Sequence, residues 1–119
     1  MHLDVDDLTS KRKQKMSPYD TSSLMFKIYS RMSEYFLSKN SLTFFMGGDN
    51  FMVVTNSEFK NFAKDFIKIS KDEFEIELNC GIGTAQTSRD AVKLATKSLD
   101  TIREIRDSGK EKPEIYELN

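Results

Sequence analysis

Apolar residues recur along the chain with two different periods, and the switches between them lay out the fold. Met1 to Val5 reads as a short strand that runs into acids at Asp4, Asp6 and Asp7. From Asp20 to Lys39, the residues Leu24, Met25, Ile28, Tyr29, Met32, Tyr35 and Phe36 return at three- and four-residue intervals. That spacing predicts an amphipathic helix, capped by Asp20 or Thr21 and ended at Asn40. Two apolar runs, Leu42 to Met46 and Phe51 to Val54, then flank Gly47-Gly48-Asp49-Asn50. Gly and Asn accept the positive φ of tight turns, so this segment predicts a β-hairpin with an acid at its tip.

Downstream, Asn56-Ser57-Glu58 is a helix start signal, and Phe59, Phe62, Ala63, Phe66 and Ile67 give a one-sided helix to about Ile69. Phe74, Ile76, Leu78 and Cys80 alternate with Glu75, Glu77 and Asn79, predicting a strand with one buried and one wet face that ends in Gly81-Ile82-Gly83. Thr87 and Asp90 have the spacing of a capping box for a last helix whose face is Ala91, Leu94, Ala95, Leu99 and Ile102. Gly109 would cap that helix, and Glu114 to Leu118 reads as a final strand.

The order β-α-β-β-α-β predicts an α+β, ferredoxin-like palm domain over residues 1–119: an antiparallel sheet with both long helices on one face. In this reading the first strand lies beside the hairpin's first arm, and Asp4 and Asp49 converge on one sheet edge. The hairpin is apolar on both faces, so a second domain or subunit is expected to cover the side that the helices leave open.

Length and charge narrow the function classes. The 119 residues make one domain, and a formal net charge of −1 argues against duplex nucleic acid as the main partner. No apolar run reaches the about 20 residues of a membrane span, which together with the absence of a leader-like start predicts a soluble cytoplasmic protein. One His and one Cys cannot build a zinc site within one subunit, and Cys80 reads as a small buried hydrophobe. The glycines at 81 and 83 lack the spacing of a dinucleotide fingerprint.

The chemistry therefore rests on the acids. Mg²⁺ is held by one or two carboxylates while waters and substrate phosphates complete its shell. Asp4, the Val5 carbonyl and Asp49 could supply that share for a nucleotide triphosphate; the plainer alternative makes Asp49 a turn former. Lys11, Arg12, Lys13 and Lys15 form either a solvated loop or a flap that meets phosphate.

The segments HLDVDDLT, SPYDTS, SLTFFMGGDNFMV, IELNCGIGTAQTSRDAVKLAT and LDTIREI resemble the C-terminal half of archaeal GTP cyclohydrolase III, within the palm-type superfamily that includes GGDEF nucleotide cyclases. The resemblance implies an enzyme of two tandem palms that uses Mg²⁺ to convert GTP to a formylamino-pyrimidine nucleotide monophosphate with phosphate release. It implies Asp4, Val5 and Asp49 as metal ligands, with Asp4 and Asp49 catalytic. It also implies nucleotide contacts at Asp6, Asp7, Gly47, Gly48, Asn50 and Arg103. For Arg103 the alternative is an ion pair with Asp100 or Asp107. A second palm, from a longer chain or a homodimer mate, is the implied partner.

Two departures separate the chain from GGDEF cyclases: Asn50 stands where they carry Glu, and KRKQKMSPYD replaces their guanine contacts. A cyclase or minimal polymerase making a dinucleotide is the competing enzyme reading. A non-catalytic nucleotide-binding or structural palm half is the competing reading from another class.

Overall fold

A computed structural model describes residues 1–6, 16–56 and 59–119. In chain order these form β1 (His2–Val5), α1 (Pro18–Leu37), β2 (Leu42–Gly47), β3 (Asn50–Val54), α2 (Phe59–Phe74), β4 (Leu78–Gly83), α3 (Ser88–Asp107) and β5 (Ile115–Leu118). Asp7, the basic run at Lys11, Arg12, Lys13 and Lys15, and the start signal at Ser57 and Glu58 lie outside the described residues.

The sheet has five strands in the order β2-β3-β1-β4-β5. The pairs β2–β3, β3–β1 and β1–β4 are antiparallel, and β5 joins β4 in parallel. The first four strands make the expected ferredoxin-like α+β arrangement, and the fifth turns the antiparallel sheet into a mixed one. One adjacency is corrected: β1 lies beside β3, the hairpin's second arm, and not beside its first. The α1 crossover makes β1 and β2 parallel and leaves one slot between them. The hairpin turn sends β3 back into that slot, antiparallel to both neighbours.

The pleat sorts residues between two faces. Leu3 pairs with Phe51 and Cys80, and these join Met25, Ile28, Met32 and Phe36 of α1 and Ala63, Phe66 and Ile67 of α2 in one core. The two crossover helices thus share one face, as expected. Helix α3 lies on the other, where Gly81 and Gly83 sit directly beneath it. A Cβ at Gly81 would fall on the backbone of Ala95 and Leu99, and one at Gly83 on Ala91 and Ala95. Glycine is required at both positions because the helix backbone occupies the space of a side chain.

This third layer corrects the reading of β4 as a strand with one wet face. The strand begins at Leu78, is buried on both sides, and includes Asn79, Gly81 and Gly83. The preceding Phe74 belongs to α2, which outruns its expected end near Ile69; the chain leaves the helix through Glu75 at φ 55. Helix α1 also starts earlier than predicted. Ser17 is its N-cap and accepts from the Asp20 amide at 3.1 Å, while Pro18, which needs no donor partner, opens the first turn. At α3 the expected cap holds, with the Thr87 hydroxyl accepting from the Asp90 amide at 3.2 Å.

Helix α3 covers the β1–β4–β5 side and leaves the hairpin side bare. Leu42, Phe44 and Val54 lie on this face and, with Met46, are 44–58% exposed.

Candidate functional site

Asp4 sits near the carboxyl end of β1, opposite Asn50 of β3 and Asn79 of β4. Its position in the pleat turns the carboxylate toward α3, where it is buried. Asn79 donates to Oδ1 at 3.1 Å, and Arg103 donates to Oδ2 from Nε at 3.0 Å and from Nη2 at 2.8 Å. The same guanidinium reaches Asp100 through Nη1 at 3.0 Å. Arg103 therefore holds the helix neighbour anticipated from sequence and, in addition, a carboxylate 99 positions away.

Asp6 continues the edge. Lys112 approaches its Oδ2 at 3.0 Å and Arg106 its Oδ1 at 3.6 Å, and Asn79 donates to it at 3.3 Å. Lys112 also donates to Asn79 Oδ1 at 2.6 Å. Three cations from α3 and the loop after it thus gather over Asp4 of β1 and Asp6 just beyond the strand. Arg106, Lys112 and Asn79 were missed by sequence reasoning. The pairing of an acid-ended strand with a helix carrying Arg at i and i+3 was the available signal, but helical charges are usually solvated and only the fold brings them to the edge.

Gly47 and Gly48 adopt φ 93 and 58, as the turn required, and carry Asp49 at the hairpin tip. Asp49 adjoins Asn50, the register partner of Asp4, so both acids lie on the expected edge. They look in different directions. Asp49 borders a cleft of about 610 Å³ on the α1 side, lined by Thr21, Ser22, Met25, Phe26 and Phe45. That volume is in the range of small-molecule sites, roughly 300–1,000 Å³. Phe45 is set there by ring contacts with Phe26, Tyr29 and Phe51 at 5.5–5.7 Å.

Asn50 joins the two sides. Its Nδ2 donates to Asp49 Oδ1 at 3.1 Å, while its Oδ1 accepts from His2 Nε2 at 3.0 Å and from Arg103 Nη2 at 3.4 Å. Because an amide oxygen only accepts, Nε2 carries the proton of neutral His2, and Nδ1 accepts from the Thr96 hydroxyl at 3.1 Å. Burial pushes the His2 pKa down. With both ring nitrogens engaged, His2 orients Asn50 and is not placed as a ligand. Cys80 is fully buried, and burial pushes its thiol up to about 12.

The acids on this edge offer oxygen donors, with both Asp4 oxygens already held by Asn79 and Arg103. Asp4, Asp49 and the Val5 carbonyl are oxygens without thiolate or imidazole, and Mg²⁺ needs only one or two carboxylates beside water and phosphate. Among the described residues no group of three or more His, Cys, Asp or Glu is placed to hold a metal ion. A second hollow of about 200 Å³ lies at the other end of the sheet, lined by Met1, Val54, Phe59, Gly83, Ser88 and Val92 among others.

The sheet order, the acid-tipped hairpin and the acidic end of β1 define a palm-type, ferredoxin-like domain. Comparison with known proteins makes the assignment particular: residues 1–114 match the family model of GTP cyclohydrolase III, and the chain belongs to that family. The GTP cyclohydrolase III of Methanocaldococcus jannaschii is 39% identical over 104 residues, which are 86% of this chain and 38% of that protein. That of Methanococcus maripaludis is 39% identical over 118 residues, 98% of this chain and 42% of the relative. In Methanobrevibacter smithii the identity is 32% over 103 residues, 87% and 41% of the two chains. The chain therefore spans about two fifths of the length of the relatives it matches.

Proposed function

We propose that this domain binds GTP with Mg²⁺ and takes part in its type III cyclohydrolysis, giving 2-amino-5-formylamino-6-ribosylaminopyrimidin-4-one 5'-phosphate and phosphate in the cytoplasm. The observation that carries the reading is that Asp4 and Asp49 share one sheet edge, with Asp49 bordering a cleft of about 610 Å³, in a chain of this family. The Asp4 and Asp49 carboxylates and the Val5 carbonyl would hold the ion. When bound, Mg²⁺ supplies neutralising charge for the triphosphate and orients water for phosphate release.

The rest of the chemistry belongs to the chain. The positive φ at Gly47 and Gly48 lets backbone approach the nucleotide closely, and Asn50 fixes the direction of Asp49. Arg103, with Arg106 and Lys112 beside Asp6, offers cations to the phosphates. The α1 cleft is apolar at Met25, Phe26 and Phe45 and polar at Thr21 and Ser22, a lining suited to a purine.

The partner in this reading is a second palm domain, supplied by the part of the relatives that this chain does not span or by a homodimer mate. The exposed Leu42, Phe44, Met46 and Val54 on the hairpin support it, since contiguous apolar surface of this kind marks an interaction site.

The test is to incubate the chain with GTP and Mg²⁺, with an Asp49→Ala control, and to identify products by mass spectrometry. A formylamino-pyrimidine monophosphate made only by the unaltered chain bears the reading out. A linked dinucleotide would move the domain to the cyclases. GTP binding that depends on Asp49 but never turns over would make it a binding half.

A further inference from the structure

The backbone of the hairpin tip does little to aim the side chain that follows it. Gly47 and Gly48 take positive φ, and the β2–β3 register shifts between Phe45 and Gly47 just before Asp49. Asn50 is held differently. It opens β3 and pairs with Asp4 of β1, so the sheet fixes its backbone. Its side chain reaches back to the tip, donating from Nδ2 to Asp49 Oδ1 at 3.1 Å.

What decides the direction of that amide lies on the α3 side. Asn50 Oδ1 accepts from His2 Nε2 at 3.0 Å and from Arg103 Nη2 at 3.4 Å. A guanidinium has donors only, so turning the amide over would set its NH₂ against Arg103 and aim an oxygen at the Asp49 carboxylate. Both donors are themselves tied down. Arg103 is held by Asp4 through Nε and Nη2 and by Asp100 through Nη1, while His2 Nδ1 meets the Thr96 hydroxyl of α3 at 3.1 Å.

We infer that Asn50 is a positioning residue for the nucleotide cleft: with Arg103, His2 and Thr96 behind it, it forms a strut that fixes Asp49 from helix α3. The strut needs an amide at this position. An ionised Asp or Glu could accept from His2 and Arg103 but could not donate to Asp49, and the two neighbouring carboxylates would repel. Binding in the cleft on the α1 side thus depends on side chains packed on the opposite face of the sheet. The inference rests on the reading that Asp49 and the cleft it borders take the nucleotide.

The experiment measures the affinity of a non-hydrolysable GTP analogue by calorimetry in Mg²⁺ buffer and the order of the Asn50 side-chain NH₂ by ¹⁵N relaxation, with a urea midpoint for each protein. Asn50→Asp keeps the acceptor and removes the donor, and is expected to bind the analogue about tenfold more weakly. His2→Phe removes one of the two donors to Oδ1; the Asn50 NH₂ is expected to lose order and the affinity to fall several-fold. His2→Gln can donate from the same reach and is expected to restore both. A purely structural role for His2 would lower the urea midpoint of both His2 variants and leave the affinity where it was.

Unchanged affinity in Asn50→Asp overturns the inference. So does an Asn50 NH₂ as ordered in His2→Phe as in the unaltered chain, or an equal loss of affinity in His2→Phe and His2→Gln. Should Asn50→Asp not fold, the two His2 variants decide by the same readouts. A chain that does not bind the analogue at all loses the proposed function, and the order of Asn50 in the two His2 variants still decides whether the strut exists.

Discussion

Asn79 gives its side-chain amide nitrogen to Asp4 at 3.1 Å and to Asp6 at 3.3 Å, while its oxygen takes a hydrogen bond of 2.6 Å from Lys112. A fully buried amide thus joins Asp4 of β1, and Asp6 just beyond it, to the loop that leads into β5. Asn79→Ala would leave two carboxylates and an ammonium short of a partner. Loss of such buried, charge-assisted bonds is expected to destabilise the domain by on the order of 2–4 kcal/mol, read as a lower urea midpoint. An unchanged midpoint would mean that water replaces the amide at no loss.

His2 is the sole histidine, which makes its titration separable. Burial holds its folded-state pKa below the ordinary 6.5, so below that pH the unfolded chain binds the extra proton more readily than the native one. The His2 contribution is complete above 6.5 and is lost as pH falls from there toward the depressed value. Urea melts at pH 7.5, 6.5 and 5.5 should show stability falling over this interval. His2→Gln should flatten the slope; an equal slope in the variant would assign it to other groups.

The contact of α3 with β4 depends on two absent side chains. Gly81→Ala would drive a methyl into the Ala95 and Leu99 backbone, which cannot rotate away as a side chain could. Separation of the helix from the sheet is expected to cost about 3 kcal/mol or more, with amide exchange accelerated along α3. Retention of wild-type exchange rates would contradict the packing.

Cys80 should be silent toward a thiol reagent at pH 8 while the domain is folded, because its thiol is buried and raised to about 12. Labelling is expected at the rate of unfolding, and to accelerate with urea in step with it. Fast labelling without denaturant would show that the β4 region opens on its own.

A second palm seated on the hairpin would make association sensitive to Phe44. If two copies of this chain supply that partner, Phe44→Lys should leave the circular dichroism spectrum unchanged and lower the sedimentation coefficient to that of a monomer. Identical sedimentation of both proteins at all concentrations would place the partner elsewhere or in another chain.

Periodicity was sufficient where an element's own residues decide its form. The three-and-four spacing of Met25, Ile28, Met32 and Phe36 places them on the buried stripe of α1, and Gly47 and Gly48 take the positive φ that the hairpin demanded. The alternation holds at Glu75 and Glu77, which are exposed, and fails at Asn79. Asn79 is instead buried beneath α3 because Asp4, Asp6 and Lys112 satisfy it.

The sequence by itself determined the order of elements, the α+β class, the acid at the hairpin tip and the buried thiol, since each follows from local chemistry and hydrophobic period. Only the tertiary structure decided that β3 enters between β1 and β2, that α3 covers the second face, and that Arg103 closes on Asp4. Those outcomes depend on which distant segments share a face, and a guanidinium and a carboxylate 99 positions apart leave no periodic trace of their meeting.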